Sequence, residues 1–163
     1  MTRVLLAGYH FVQADALAHE IAVAAPSASF DIKKLLLPWP KIPFTAVAEV
    51  DEASGSEEDM IAGLKDIDIC VTQMAPLTQR VIESANALKL ICVTRGGPVN
   101  VNLDAARRKG IAVCAAPGRN AAATAEHTMA LLLAALRKIP SRHSEIIAGE
   151  WRSDFYAFDQ VGF

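Results

Sequence analysis

The stretch LKLICVTRGGPVNVNLDAARRKGIAVCAAP (88–117) decides the fold. Its opening, LKLICVT (88–94), is a short apolar run with β-branched residues, the pattern of a buried strand. Arg95, Gly96, Gly97 and Pro98 then break the chain. NLDAARRKG (102–110) reads as a helix stopped by glycine, and IAVCAAP (111–117) as a second strand ended by proline. Strand, turn, helix and strand in this order make a parallel crossover.

The same alternation runs back to the N-terminus. RVLLAG (3–8) predicts a buried strand and ADALAHEIAVAA (14–25) a helix. SFDIKKLLL (29–37) predicts a strand, after which Pro38, Pro40 and Pro43 impose a loop. SEEDMIAGL (56–64) begins with a serine cap and acids in the first turn, and DIDICVTQ (66–73) is strand-like. LTQRVIESA (77–85) is helical, with Thr78 at the cap position. Such β-then-α units with near-continuous apolar strands predict an α/β fold, a parallel sheet with helices on both faces. Ligands of these folds sit beyond the carboxyl ends of the strands. Those ends are Tyr9-His10-Phe11, Gln73-Met74-Ala75-Pro76, Arg95-Gly96-Gly97-Pro98 and Pro117-Gly118-Arg119-Asn120.

With 163 residues, 52% hydrophobic, and a formal charge of −2, the chain suits one globular domain and excludes a disordered or polyanion-binding protein. No basic stripe for nucleic acid is present; Arg107-Arg108-Lys109 suits a helix C-terminus. The apolar run in MTRVLLAG is too short for a signal peptide, and Met129–Leu136 too short for a membrane span. Cys70, Cys92 and Cys114 each lie inside an apolar strand-like run, without zinc-like spacing. They read as reduced thiols in the core, and hence as a cytoplasmic protein.

The last quarter has a different character. NAAATAEHTMALLLAALRKI (120–139) is a strong helix whose Met129–Leu136 segment is apolar on every face. Such a helix needs cover all round, which one small sheet cannot give. Trp151, Phe155, Tyr156, Phe158 and Phe163 supply half of the ten aromatic residues, so the tail also calls for a packing partner. Pro140 and Gly149 bound the helix between them.

No Gly-x-Gly occurs among the nine glycines, so neither a Rossmann turn nor a P-loop can be written. The acids of a phosphate-accepting receiver domain are missing as well, where GYHF and TQMAP stand. RGGPVN (95–100) is the best candidate site. Amides of a glycine turn at a helix start cradle an anion, and Arg95 can add a charge-assisted fork to a carboxylate. Glycines that merely supply positive φ in a tight turn explain the same residues, and both readings stand at this point. His10 lies at a strand mouth; His19, His127 and His143 show no metal-like pairing.

The order of motifs from residue 88 to 139, namely Arg-Gly-Gly, Asn-Leu-Asp, Lys-Gly-Ile-x-Val, Pro-Gly-x-Asn-Ala, Ala-Glu-His and an apolar helix, resembles the D-isomer-specific 2-hydroxyacid dehydrogenases, the phosphoglycerate dehydrogenase-like superfamily. The resemblance implies an NAD(P)-dependent oxidoreductase that moves hydride between nicotinamide and a small 2-hydroxy or 2-keto acid. It implies a flavodoxin-like substrate lobe over residues 1–118, then a hinge helix and arm over 119–163 leading toward a cofactor domain. The hinge helix implies a homodimer or higher oligomer through residues 129–136 and the tail. It further implies a substrate carboxylate on the amides of Arg95, Gly96, Gly97 and Val99, with Pro98 deleting one donor. Asn120 matches a substrate-binding asparagine, Thr124 a position near the nicotinamide, and QMAPLT a cleft edge with Met74 and Ala75 on the substrate side. The family's cofactor turn and its catalytic arginine, glutamate and histidine have no counterpart in these 163 residues. The chain is therefore expected to be a truncated dehydrogenase, inactive alone and binding neither NAD nor NADP tightly. The alternative is a non-catalytic small-acid binding or assembly module built on the same fold.

Overall fold

The computed structural model describes residues 1–39 and 45–151. The expectations for Pro40, Pro43 and the tail aromatics Phe155, Tyr156, Phe158 and Phe163 lie outside them. The chain divides into two compact units, Met1–Arg119 and Asn120–Phe163.

In the first unit, elements alternate as the apolar pattern demands: β1 (Thr2–Gly8), α1 (Ala14–Ala24), β2 (Phe30–Leu36), α2 (Glu57–Gly63), β3 (Ile69–Thr72), α3 (Gln79–Ser84), β4 (Leu90–Val93), α4 (Leu103–Arg108) and β5 (Ala112–Ala115). The strands form one parallel sheet in the order β2-β1-β3-β4-β5. Successive side chains of a strand point to opposite faces, which splits the core in two. Leu5, Ala7, Cys70 and Ile91 face the larger cluster, filled by Met60 of α2, Val81 and Ile82 of α3, and Ala105 and Ala106 of α4. Val4, Leu6 and Val71 face the smaller one, covered by Ala14, Leu17, Ala18 and Ile21 of α1. Helices thus cover both faces.

Register sets the working edge of the sheet. Ala7 pairs with Thr72, Thr72 with Val93, and Val93 with Ala115, so β1, β3, β4 and β5 end level. The ladder continues one step further, through Thr94 N–H to Thr72 O at 2.9 Å and Ala116 N–H to Arg95 O at 2.9 Å. The turns after these strands therefore emerge side by side.

The caps follow the expected chemistry. Ser56 Oγ accepts from Asp59 N–H, and Thr78 Oγ1 accepts from Val81 N–H. The basic cluster works differently from the expectation for its third member. Arg107 and Arg108 occupy the last turn of α4, but Lys109 donates to the carbonyls of Ile82, Glu83 and Ala85 at 3.1, 2.9 and 3.2 Å. It closes the C-terminus of α3, whose last carbonyls have no partner within their own helix.

Cysteine placement corrects one expectation. Cys70 is fully buried, and burial pushes its thiol up to about 12. Cys92 is half-buried, whereas Cys114 is exposed. β5 is an edge strand, and Ala112 and Cys114 on its α1-side face lie beyond the reach of α1.

The second unit holds α5 (Ala121–Leu136) and α6 (Ile139–Ile147). Lys138, at φ 52°, turns the chain between them, and Pro140 occupies the first turn of α6. Met129, Leu131, Leu132, Leu133 and Leu136 are all exposed, as is Trp151. Among the described residues, no helix is long and apolar enough to cross a membrane.

Candidate functional site

The candidate turn starts where β4 ends. Neither Gly96 nor Gly97 has positive φ; the glycines that do are Gly55, Gly110, Gly118 and Gly149. The tight-turn explanation for the pair fails here. Packing does not demand them either: a Cβ on Gly96 would meet only Pro117 Cα, at 3.9 Å, and one on Gly97 would meet nothing within 4 Å. What their missing side chains leave is open space above the backbone. The amides of Gly96, Gly97 and Val99 donate to no acceptor among the described residues. Pro98 contributes only a carbonyl, which accepts from Val101 N–H at 3.0 Å.

The structure corrects the expectation that this turn opens a helix. α4 begins at Leu103, capped by Asn102 Oδ1, which accepts from Ala105 N–H at 2.9 Å. Between turn and helix, Val101 forms a parallel bridge with Leu77. Leu77 N–H donates to Asn100 O, and Asn102 N–H to Leu77 O. This bridge carries the chain on as an extra half-strand, so the glycine amides act without the helix field. Asn100 is fully buried; its Nδ2 donates to Ala75 O at 2.8 Å, and its Oδ1 has no partner among the described residues. Thr94 Oγ1, just before the turn, is likewise buried and unpartnered there.

Arg95 is engaged rather than open. Its guanidinium pairs with the Glu52 carboxylate and is only 20% exposed. Glu52 itself holds a left-handed φ of 50°, an uncommon conformation for a side chain of that length. Partial burial lowers the pKa of Arg95 from its ordinary value, yet the group stays cationic. Tyr9 lies nearby, its hydroxyl donating to Gln73 Oε1. Burial raises the Tyr9 phenol, and the Arg119 and Arg95 charges pull it partly back, so it remains a neutral donor. Carboxylate latch, guanidinium, phenol and amide side chain therefore share the carboxyl edge of the sheet with the glycine turn.

Met74 and Ala75 are placed in the core, at 6% and 0% exposure. Ala75 N–H donates to Thr72 Oγ1, Ala75 O accepts from Asn100, and Met74 O accepts from Ser54 N–H. The side chain this loop presents toward the edge is Gln73. Val99 is exposed, and its carbonyl accepts from Asp51 N–H at 3.0 Å. Asn120 and Thr124 belong to the second unit, at the N-cap position and first turn of α5. Asn120 makes no side-chain cap bond, and both residues are exposed.

The sequence marks Tyr9 and Gln73 as strand ends without pairing them, and it gives no sign of Glu52. Glu52 lies in a polar connection 43 residues from its partner, and no local pattern announces it. A dinucleotide does not fit the first βα turn. A Cβ added to Gly8 would meet Ala14 N at 2.6 Å and Val12 O at 2.7 Å, and bulky Tyr9, His10 and Phe11 stand where glycines would admit a pyrophosphate.

The strand order places the first unit in the doubly wound class of α/β proteins, with its ligand edge at the carboxyl ends. The chain belongs to the D-isomer specific 2-hydroxyacid dehydrogenases, whose catalytic-domain model matches residues 41–157. It is 39% identical over 119 residues to the D-3-phosphoglycerate dehydrogenase of Methanocaldococcus jannaschii, covering 71% of this chain and 23% of that one. In structure it is similar to a protein of Pyrococcus horikoshii, with TM-score 0.69, 22% identity, and 100% and 42% of the two chains covered. It is also similar to an acyclic imino acid reductase solved with NADPH and D-Arg, at TM-score 0.64 and 20% identity, over 96% and 43% of the chains. The chain thus spans under a quarter of that relative and under half of those solved structures.

Proposed function

We propose that these residues form the acid-binding lobe of a D-2-hydroxyacid dehydrogenase, holding the carboxylate of a small 2-hydroxy or 2-keto acid on the amides of Gly96, Gly97 and Val99. The carrying observation is that two adjacent glycines, required by neither φ nor packing, leave open space at Gly96 and Gly97, where the amides of Gly96, Gly97 and Val99 donate to no acceptor among the described residues. Backbone donors of this kind are preorganised, and a carboxylate takes charge-assisted bonds from them. Glu52 holds the Arg95 fork and offsets its charge, so the backbone amides carry the binding. Asn120 and Thr124 are assigned to the substrate and nicotinamide sides, in keeping with their match to the family's motifs.

NAD(P) supplies the hydride acceptor or donor in such an enzyme. These residues' own share is to bind and orient the acid, since neither a pyrophosphate turn nor a proton-transferring set can be written among them. The apolar face of α5 is assigned to a homodimer or higher assembly, and the three free thiols suit a reducing compartment such as the cytoplasm. Calorimetric titration of the chain with pyruvate and with NADH tests the division of labour. Pyruvate is expected to release or absorb heat with saturation, NADH to give none, and the two together to give no turnover. Oxidation of NADH by these residues alone would overturn the reading.

A further inference from the structure

Along the carboxyl edge, the side chains change character from β4 to β2. At β4 stand the bare amides and the Arg95–Glu52 pair; at β3, Gln73; at β1 and β2, a cluster of aromatic rings. Tyr9 stacks on Trp39 with ring centroids 5.5 Å apart and planes 20° apart. Phe11 meets Trp39 edge to face at 4.7 Å, and Tyr9 at 6.3 Å. Tyr9 is 5% exposed and ties the cluster to the polar side through Gln73. Phe11 and Trp39 remain 67% and 47% exposed, so the rings pack on one another yet present an open apolar surface. Beside them lies a cleft of about 410 Å³ lined by His10, Leu36, Leu37, Pro38 and Trp39.

Large exposed aromatics cost solubility and are kept where they meet a ligand. Two of the cations near this end are committed, Lys34 to Asp15 at 2.5 Å and Arg95 to Glu52, while Arg119 acts on Tyr9 from the β5 side, away from the cleft beside Trp39. A phosphorylated or carboxylated substituent entering the cleft would meet Leu36, Leu37, Pro38 and Trp39, with neither Lys nor Arg in the lining and His10 as its polar member. Adjacent strands lie about 4.8 Å apart, so the rings of β1 begin about 10 Å from the β4 turn. A methyl substituent falls short of that span, whereas an arylmethyl or long branched group extends toward it.

We propose that Trp39, Phe11 and Tyr9 form the wall that selects the acid's substituent, and that the ligand is a 2-keto or 2-hydroxy acid with an uncharged aromatic or bulky apolar side group. This rests on the glycine turn as the carboxylate site.

The experiment measures calorimetric affinities of the whole chain for pyruvate, phenylpyruvate and 3-phosphoglycerate, repeated with Trp39→Ala, Trp39→Leu, Phe11→Ala and Gly97→Ala. Phenylpyruvate is expected to bind about tenfold or more tightly than pyruvate, with 3-phosphoglycerate weaker than phenylpyruvate. The phenylpyruvate-to-pyruvate ratio should fall toward one in Trp39→Ala and Phe11→Ala. Trp39→Leu keeps an apolar side chain in place, so the same fall there identifies the ring even if Trp39→Ala does not fold. Equal binding of pyruvate and phenylpyruvate, both lost in Gly97→Ala, would overturn the wall and leave the turn standing. Tighter binding of 3-phosphoglycerate than of phenylpyruvate would also overturn the wall. Binding of none of the three would remove the turn reading, and the wall with it.

Discussion

Position 97 has room for a methyl group that the chain does not carry. Its φ is also one that alanine adopts. By chain entropy alone, Gly97→Ala should hold or raise stability by about 0.4–1 kcal/mol. If the turn holds the acid, the same methyl stands where a carboxylate oxygen must approach the amides, and acid affinity should fall by about tenfold or more. Thermal melting and calorimetry on one sample read both signs; a variant that is destabilised yet binds normally would count against the site. The single residues also mark what sequence can and cannot disclose. The glycine pair is visible in RGGPVN, but its two explanations separate only when φ and the surroundings are measured. Arg95 looks available in the sequence because its partner is remote, and Met74 and Ala75 look like cleft residues because a strand end does not reveal which side chains turn inward. Cys114 resembles Cys70 in its apolar run, and differs only because β5 lies at the sheet edge.

Elements are more legible than sites, since a buried parallel strand and a capped helix carry their signals locally. Ser56 and Thr78 cap α2 and α3 by the chemistry their positions imply. Thr78 is fully buried; besides accepting from Val81 N–H, its hydroxyl donates to Glu57. Thr78→Ala should therefore cost about 1–2 kcal/mol, with Thr78→Ser recovering most of it, whereas the more exposed Ser56→Ala should cost about 1 kcal/mol or less. Denaturant titration of the three variants checks the order; equal effects would mean that the Thr78 bonds are not what holds α3. The start of α4 is legible too, since Asn102 opens the expected helix as its cap. What the sequence does not show is the bridge of Val101 to Leu77, a contact between distant segments. That bridge separates the glycine turn from α4.

For the molecule as a whole, the two units pose different physical problems. The first has two buried apolar clusters, one on each face of its sheet. The second leaves Met129, Leu131, Leu132, Leu133 and Leu136 exposed along α5. Covering a few hundred Å² of such surface is worth several kcal/mol at roughly 25 cal/mol per Å², enough to favour association. Sedimentation should show a dimer or larger species that shifts toward monomer in Leu132→Asp; a monomeric wild-type chain at high concentration would oppose that assignment. The anion turn remains the point on which the proposed function depends. Amide-resolved NMR of the chain titrated with pyruvate tests it most directly. Saturable downfield shifts are expected at Gly96, Gly97 and Val99, with the amides of β1 unmoved. Shifts confined to other residues, or none under saturating acid, would contradict acid binding at the turn.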